Sequence, residues 1–320
     1  MDLNLPLVSI ALICYNQEDT IESALKSLVD QTYKNVELII SDDCSRDSTV
    51  DIIQKFLSNL NFKYKLNVNK RNLGIGGNLA KAVSLCSGEF IVPAAGDDIS
   101  TSDRVEVVVN HWLDSGKKVG YINTDLIEID REGNYLKYKK SDNFLDYPNL
   151  EAWVKTPQFR MGTEHWSREF YEKLPPFSNV TCEDQILAFR AIMLGLGSTI
   201  HKATLKHRVG GVTTNNIRTA QEKVAKLLED AKTSKNDLYQ MLLDADYLSQ
   251  GEMIKDFLHK KIAENELIIL SLEGSSGSEI LSRLLVSKNV KVGKRIRLFF
   301  YAITPLIMNL IFMIRQFFKR

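Results

Sequence analysis

The sequence predicts an α/β protein in which a mostly parallel central sheet is flanked by helices and followed by a helical C-terminal extension. Short apolar runs rich in β-branched residues alternate with amphipathic segments through about residue 120, which is typical of parallel strands joined by crossover helices. Of the 320 residues, 44% are hydrophobic and 25% charged, as in a globular protein with a sizeable core. Residues from about 218 to 268 are charged and helical in pattern.

The first half of the chain supplies these elements in strict alternation. Val8–Cys14 is a continuous apolar run, which predicts a strand buried on both faces. Apolar residues at helical spacing follow it from Ile21 to Val29. Further strands are predicted at 36–40, 64–68 and 89–93, and further helices around 50–57, 79–86 and 105–112.

Turn signals and one later helix complete the predicted order. The Gly-rich stretch at 72–77 predicts a loop, and the sequence REGN at 131–134 predicts a hairpin turn. Residues 135–220 are less regular, with a helix near 183–194 and a turn at Pro175-Pro176.

Composition excludes several classes of protein. The formal net charge of +1 argues against a nucleic-acid-binding chain. The four cysteines form no CxxC pair, so reduced core thiols are expected rather than a disulfide framework or a zinc site. The N-terminus has no basic region before its apolar run, which predicts a first strand and a cytoplasmic protein rather than a signal peptide.

The C-terminal segment 291–320 has a different character. Residues 281–320 contain nine Lys or Arg and no Asp or Glu, and Leu298–Ile314 is an apolar run of 17 residues interrupted by Pro305 and Asn309. This length is at the lower limit for crossing a bilayer, so we expect an anchor lying at the inner face of the membrane. A membrane-inserted helix or hairpin, or a helix packed on a partner or on the protein's own core, are the alternatives.

Polar side chains follow three of the predicted strands. Tyr15-Asn16, Asp42-Asp43 and Asp97-Asp98 each come directly after an apolar run. In a parallel sheet they would share the carboxyl edge, where open α/β sheets bind ligands. The alternative is that they are turn formers and helix caps.

The adjacent carboxylates of Asp97 and Asp98 repel each other unless a positive charge lies beside them. A divalent Mg²⁺ or Mn²⁺ ion supplies that charge and often binds through one or two carboxylates together with substrate phosphates. The pair therefore points to a metal ion that carries a phosphorylated ligand, and the small residues 94–96 before it would leave clearance for that ligand.

Three sequence blocks resemble family 2 glycosyltransferases, including those that make bacterial polysaccharides and O-antigens. They are VSIALICYNQEDTIESALKSLVDQTYKNVELIISDDCSRDST from residue 8, NLGIGGNLAKAVSLCSGEFIVPAAGDD from residue 72, and CEDQILAFRAIMLG from residue 182. LKHRVGGVTTN at 205–215 is similar to a fourth block only in part. The resemblance covers residues 6 to about 215.

The resemblance implies a GT-A-type fold and a division of the chain. Residues 1–217 would form the catalytic domain, with a nucleotide-binding half at 1–120 and an acceptor half at 121–217. A helical extension at 218–290 and the membrane-associating segment 291–320 would follow. The implied enzyme uses Mn²⁺ or Mg²⁺ to move a sugar from a UDP-sugar, with a dTDP-sugar as the second choice of donor, to a saccharide or lipid-linked saccharide, with inversion.

The same resemblance assigns roles to individual residues. Tyr15, with Asn16 beside it, would stack on the nucleotide base, and Asp43 would accept a hydrogen bond from it. Asp97 would contact the ribose or the metal, Asp98 would be the main metal ligand, and Asp184 would be the catalytic base.

Two positions depart from the family pattern. Gly210 stands where the family often has a histidine, so His207 takes over the metal contact, or the contact is absent, or Arg208 and Lys206 bind the diphosphate. The sugar-pocket acid that sometimes precedes the Asp pair is missing as well. Trp153 and Trp166 are candidates for stacking on the acceptor, although burial in the core is the more common state of Trp.

Two other functions stay open from the sequence. A sugar-phosphate nucleotidyltransferase uses a related sheet and metal, but its Gly-rich and basic signature after the first strand is replaced here by YNQED. A non-enzymatic, membrane-bound assembly protein would not need the acidic residues Asp43, Asp97, Asp98 and Asp184 to be intact.

Overall fold

A computed structural model describes most of the chain, and the account below is confined to that part. The described residues are 5–58, 60, 62–155, 163–176, 180–210, 219–273 and the single residues 293, 296 and 298. The chain divides into two compact units, residues 1–214 and residues 215–320, which are treated separately.

The first unit is built on a mixed sheet whose first part is parallel. Four strands lie in the order β3-β2-β1-β4, and each runs parallel to its neighbours. Apolar residues are buried along β1 because helices cover both faces of the sheet. The strands are β1 (Val8–Cys14), β2 (Val36–Asp42), β3 (Tyr64–Val68) and β4 (Phe90–Ala95).

The helices between these strands agree with the predicted order. Their apolar faces form one core with the strands, as the helical spacing of Ile21, Leu25 and Leu28 predicts. The loop predicted at 72–77 was wrong for residues 74–77. The helix begins at Gly74, and its first turn contains the glycines of this stretch. The helices are α1 (Ile21–Val29), α2 (Thr49–Ser58), α3 (Gly74–Leu85) and α4 (Arg104–Asp114).

The second part of the sheet is mixed in direction. The strand β8 runs antiparallel to both β4 and β6, and so joins the first part of the sheet to the second, while β9 runs parallel to β6 and antiparallel to β5. The predicted hairpin at 131–134 connects β6 to β7, with Gly133 at a φ of 94°. The elements are β5 (Ile99–Ser100), β6 (Tyr121–Ile129), β7 (Tyr135–Lys139), β8 (Thr163–Ser167), β9 (Gly197–Arg208), α5 (Leu150–Lys155), α6 (Arg168–Glu172) and α7 (Glu183–Leu194).

The second unit contains a pair of long helices, α8 (Ala220–Tyr247) and α9 (Glu252–Leu272), so the predicted helical extension is confirmed for these residues. Thr219 and Glu222 form a capping box at the start of α8. The helices run antiparallel. Nζ of Lys235 in α8 forms an ion pair with Oε1 of Glu266 in α9, at a distance of 3.1 Å.

The predicted membrane-associating segment lies almost entirely outside the described residues. Of its residues, Leu298 is buried against Ala231, Leu267 and Ile268 in the second unit. Within the described ranges, no helix combines the length and the apolar character needed to cross a membrane.

A buried carboxylate joins the amino ends of three central strands. Glu37 of β2 accepts hydrogen bonds from the Ser9 hydroxyl of β1 at 2.7 Å and from the backbone N–H of Ser87, just before β4, at 2.6 Å. The Ser87 hydroxyl donates to it as well, at 2.7 Å. Burial alone would raise the pKa of Glu37, but the bonds from Ser87 and Ser9 outweigh it and lower the pKa to about 2.

We expect Glu37→Gln to lower the free energy of unfolding at pH 7 by about 3 kcal/mol, from the depressed pKa. A carboxylate with a lowered pKa in the folded state stabilises above its unfolded pKa near 4.5, and this stabilisation is lost as the pH falls towards 2. The difference between variant and wild type should therefore shrink over that interval in urea unfolding experiments.

The matched control is Glu89→Gln, because Glu89 is exposed and pairs with Lys117 at the surface. Equal stabilities of wild type and Glu37→Gln from pH 7 to pH 3 would show that the buried carboxylate does not hold the strands together.

Candidate active site

The three polar pairs predicted from the sequence lie at one edge of the sheet. Because β1, β2 and β4 are parallel neighbours, the residues that follow them meet at the carboxyl edge. Tyr15, Asp43 and Asp97 therefore stand on adjacent strand ends, as the alternation of strands and helices predicted.

The loops after β1 and β2 are tied together through Asn16. This residue has a φ of 49°, its N–H donates to the Ser45 hydroxyl at 2.9 Å, and its side-chain oxygen accepts from the Arg46 N–H at 2.8 Å. The backbone N–H and the side-chain oxygen of Asn16 are thus both hydrogen-bonded within the protein. Tyr15 beside it is 36% exposed and free of such constraint on its ring face, which leaves its predicted stacking role as a prediction.

Asp43 organises the start of α3. Its carboxylate is buried and accepts hydrogen bonds from the N–H groups of Leu73 and Gly74 at 2.8 and 2.9 Å, and from the Asn69 amide at 2.9 Å. These bonds explain why the Gly-rich stretch becomes a helix start, since the carboxylate satisfies N–H groups that a helix leaves unpaired at its first turn.

Asp98 connects the end of β4 to the end of β9. Its carboxylate is 7% exposed, accepts from the Arg208 N–H at 2.9 Å and lies 3.1 Å from Nδ1 of His207. The hydrogen bond to Asp98 raises the pKa of His207. Burial and the neighbouring Asp98 raise the pKa of Asp97.

The Arg208 side chain is engaged by backbone carbonyls. Its Nε donates to the carbonyl of Asp97 at 3.0 Å, and Nη1 donates to the carbonyls of Asp130, at 3.1 Å, and Arg131. Arg208 thus clamps the turn after β4 to the β6–β7 hairpin, a structural role that the sequence did not predict. Its contact with a diphosphate stays a prediction.

A cavity of about 250 Å³ brings three of the predicted residues together. Asp98 and His207 stand on its wall together with Asp184, which begins α7. The remaining lining residues are Ile13, Ile75, Leu79, Pro93, Ala94, Ala95, Arg104, Thr163, Glu164, Glu183 and Leu205.

Two charged residues of this cavity were missed by sequence reasoning. Glu164 lies on β8 and Arg104 begins α4, and neither belongs to the quoted motifs. Little in the sequence indicated the role of Arg104, because a single Arg at the start of a helix is usually a surface residue. For Glu164 the sequence carried no clear signal, because the strand TEHWS is mostly polar and a glutamate in it would be expected at the surface.

Arg104 is 1% exposed and holds the floor of the cavity. It donates to His165 Nε2 at 3.0 Å, the Ser100 hydroxyl at 3.1 Å, the Thr163 hydroxyl at 2.7 Å and the Pro93 carbonyl at 2.8 Å. Burial lowers the pKa of Arg104 to about 10, which leaves it charged at neutral pH. Burial and Arg104 hold the pKa of His165 well below its usual range, so His165 is a neutral acceptor.

Trp153 and Trp166 are both buried and pack on Phe189 and Tyr171, so the core position expected as the more common state of Trp is confirmed and neither offers a stacking face. Two other expectations need correction. Gly96 is small because a side chain there would collide with Gln17, Ile21 and Cys14, whereas Ala94 and Ala95 do face the cavity. Cys182 is exposed rather than a core thiol, unlike the buried Cys14 and Cys86.

The donor set of the cavity fits a divalent ion that is completed by its ligand. Within the described ranges, no cluster of three or more His, Cys, Asp or Glu side chains is arranged to hold a metal. Asp98 and His207 form a pair instead, and Mg²⁺ or Mn²⁺ sites that use substrate phosphates need only one or two protein ligands.

Comparison with known proteins identifies the family. The profile described as Glycosyl transferase family 2 matches residues 9–174, slightly more than half of the chain. The chain belongs to glycosyltransferase family 2. It is therefore a transferase enzyme, and the matched range contains the strand ends that carry Tyr15, Asp43 and Asp98.

Curated relatives agree with this family. An uncharacterised glycosyltransferase of Haemophilus influenzae is 27% identical over 222 residues, which are 68% of this chain and 86% of that protein. The UDP-Glc:alpha-D-GlcNAc-diphosphoundecaprenol beta-1,3-glucosyltransferase WfgD of Escherichia coli is 33% identical over 38% of this chain and 47% of its own length. The putative glycosyltransferase EpsE of Bacillus subtilis is 32% identical, and the match spans 46% of its length.

Solved structures confirm the GT-A fold. The S. aureus TarS 1–349 structure in complex with UDP matches with a TM-score of 0.54 and 18% identity, over 93% of this chain and 81% of that chain. The mannosyltransferase PcManGT from Pyrobaculum calidifontis, in complex with GDP-Man and Mn²⁺, matches with a TM-score of 0.55 and 18% identity, over 96% of this chain and 88% of that chain.

The role of Asp43 in holding α3 can be tested by Asp43→Asn. An amide replaces one of the two carboxylate oxygens by an N–H₂ group, which then faces at least one of the three donors, so we expect a loss of about 1–3 kcal/mol in unfolding free energy. The amide hydrogens of Leu73 and Gly74 should also exchange faster with deuterium, as measured by mass spectrometry of peptides that cover them. Asp51→Asn, at an exposed position of α2, is the control. Unchanged exchange at both amides would contradict the role.

Proposed function

We propose that this protein is a metal-dependent, inverting glycosyltransferase that moves a sugar from a UDP-sugar to a saccharide acceptor in polysaccharide synthesis. The observation that carries the proposal is the shared cavity of Asp98, His207 and Asp184. In this proposal, Asp98 and His207 would form the site for a metal-bound diphosphate, and Asp184 would supply the carboxylate base.

Asp98 and His207 would hold the metal ion with the diphosphate of the donor. The ion would neutralise the negative charge that develops on the leaving diphosphate. The chain prepares this site by fixing Asp98 from two sides, through the Arg208 N–H and through His207. A preorganised carboxylate does not have to be reoriented when the donor binds.

Asp184 would act as the general base. Its carboxylate takes the proton from the acceptor hydroxyl as that oxygen forms a bond to the anomeric carbon. The bond from the anomeric carbon to the diphosphate oxygen breaks in the same displacement, and its electron pair leaves with UDP. A single displacement with one base inverts the anomeric centre.

The nucleoside would lie at the edge formed by the loops after β1 and β2. Tyr15 is exposed there and available for stacking, and Asp97 would contact the ribose. Asp43 is buried behind this edge, so its predicted hydrogen bond to the base would use a lone pair left by the three donors that it already accepts. The UDP complex of the TarS structure supports a uridine nucleotide as the first donor class to test.

The acceptor is proposed to be a lipid-linked saccharide, with the protein lying peripherally at the inner face of the membrane. The printed activity of WfgD, which acts on a diphosphoundecaprenol-linked sugar, supports this part of the proposal. The basic and apolar segment 291–320 supports it from the sequence.

We expect Asp98→Asn to weaken UDP binding in the presence of Mn²⁺ by about 10-fold or more, since a charged ligand to the metal is lost. Titration calorimetry with UDP, with and without Mn²⁺, measures this effect. Asp114→Asn, at an exposed position of α4, is the control. If Asp98→Asn and wild type bind UDP–Mn²⁺ equally, the metal assignment is wrong.

Asp184→Asn should separate chemistry from binding. We expect sugar transfer to fall by about 10²–10⁴-fold while UDP affinity stays within about 2-fold, because a general base contributes to the rate and does not bind the nucleotide. The rate is obtained by incubating the protein with a panel of UDP-sugars and Mn²⁺ and measuring the release of UDP. Retained transfer in this variant would exclude Asp184 as the base, and absence of UDP release by wild type from every donor would count against the proposed activity.

A further inference from the structure

Two acidic residues that line the cavity, Glu164 and Glu183, have no role in the proposed mechanism, and Glu164 is the one that comes from the sheet. Glu164 lies near the start of β8, in the middle of the sheet, and its partner in the register is Asn123 of β6. Thr163 and His165 hydrogen bond to Arg104, whereas Glu164, which lies between them in the strand, hydrogen bonds to Tyr121. Glu164 lines the cavity together with Asp98 and Asp184.

The carboxyl group of Glu164 is held in one orientation. The hydroxyl of Tyr121 donates a hydrogen bond to its Oε2 at 2.9 Å. Tyr121 is itself fully buried, and its ring packs against Phe144 and Phe170 with centroid separations of 5.6 and 5.8 Å. A carboxyl group held by a packed tyrosine presents its other oxygen in a defined direction.

Arg104, the cation that also lines the cavity, is committed elsewhere. It donates hydrogen bonds to His165, Ser100, Thr163 and the Pro93 carbonyl, all of them neutral partners. Burial, followed by the nearby Asp184 and Glu183, raises the pKa of Glu164 well above its ordinary range. The raised pKa favours the carboxylic acid form, which both donates and accepts hydrogen bonds, whereas a carboxylate only accepts them.

A half-buried carboxyl group in the sheet is costly compared with an apolar residue of the same size. A sugar hydroxyl is also both donor and acceptor, so it matches the remaining hydrogen-bonding capacity of this group. The lining residues Pro93, Ala94 and Ala95 offer no polar side chain to a sugar. Polar contacts set orientation and specificity in such cavities, and Glu164 is placed to make one.

We propose that Glu164 determines specificity for the donor sugar by hydrogen bonding a ring hydroxyl of the sugar that lies between Asp98 and Asp184. Tyr121 is the positioning residue that holds the Glu164 carboxyl group in place. This inference rests on the proposed function, since it requires a nucleotide-sugar in the cavity.

The test compares Glu164→Leu and Tyr121→Phe with wild type and with Glu169→Gln, a control at an exposed position of α6. Calorimetry with Mn²⁺ gives the affinity for UDP and for UDP-glucose, UDP-galactose, UDP-N-acetylglucosamine and UDP-N-acetylgalactosamine. The ratio of UDP-sugar to UDP affinity isolates the sugar contact from any general loss of structure. Thermal unfolding of each variant checks that it is folded, and Glu164→Ala, which also removes the carboxyl group, replaces Glu164→Leu if the latter does not fold.

We expect Glu164→Leu to leave UDP affinity within about 2-fold and to weaken the best-bound UDP-sugar by about 10-fold, the effect of losing one hydrogen bond and leaving its partner unpaired. The difference in affinity between UDP-glucose and UDP-galactose, the epimer preference, should become smaller. Tyr121→Phe should shift the same ratio by a smaller factor, about 3-fold. Should the folded replacement be Glu164→Ala, the sugar-to-UDP ratio and the epimer preference should change in the same direction while UDP affinity stays within about 2-fold.

Two failures are distinguishable. If wild type binds none of the four UDP-sugars, the proposed function fails and Glu164 loses its ligand. If wild type binds one of them and the folded Glu164 variant keeps both the sugar-to-UDP ratio and the epimer preference, the inference about Glu164 is overturned. An effect confined to the KM of the acceptor would also overturn it, since the contact would then belong to the acceptor sugar.

Discussion

The hydrogen bonds between Asp98 and the end of β9 are the contact on which the site depends. Asp98 belongs to the turn after the parallel strands, whereas His207 and Arg208 belong to the mixed part of the sheet. The pairing of β5 with β9 places these residues side by side, and the Arg208 side chain adds bonds to the carbonyls of Asp97 and Asp130. Without this junction the cavity would lack the wall that carries the proposed metal ligands.

The sheet direction explains why the site has two kinds of wall. Parallel strands bring the loops after β1 and β2 to one edge, where Tyr15 is exposed and Asn16 ties the two loops together. The strand β8 enters antiparallel between β4 and β6 and carries Glu164 to the cavity. Under the proposed function, the parallel part of the sheet would recognise the nucleotide and the strand that joins the two parts would recognise the sugar.

Much of this arrangement was predictable from local sequence, and the reason is physical. Val8–Cys14 is apolar on both faces, which only a covered parallel strand tolerates, and the residues after such strands must share an edge. Asp98 and Asp184 therefore followed from motif and topology together. Arg104 and Glu164 did not, because their roles come from long-range neighbours: His165 and Thr163 lie about 60 residues from Arg104, and Tyr121 lies 43 residues from Glu164. The start of α3 at Gly74 was missed for the same reason, since it depends on the Asp43 carboxylate.

The most direct test of the account is a crystal structure of the protein grown with UDP and Mn²⁺, in which anomalous scattering locates the metal. The account predicts an anomalous peak in the cavity, within coordination distance of the Asp98 carboxylate and of the UDP diphosphate, with the uracil ring over Tyr15. A metal bound away from Asp98, or UDP bound outside the cavity lined by Asp98 and Asp184, would contradict it.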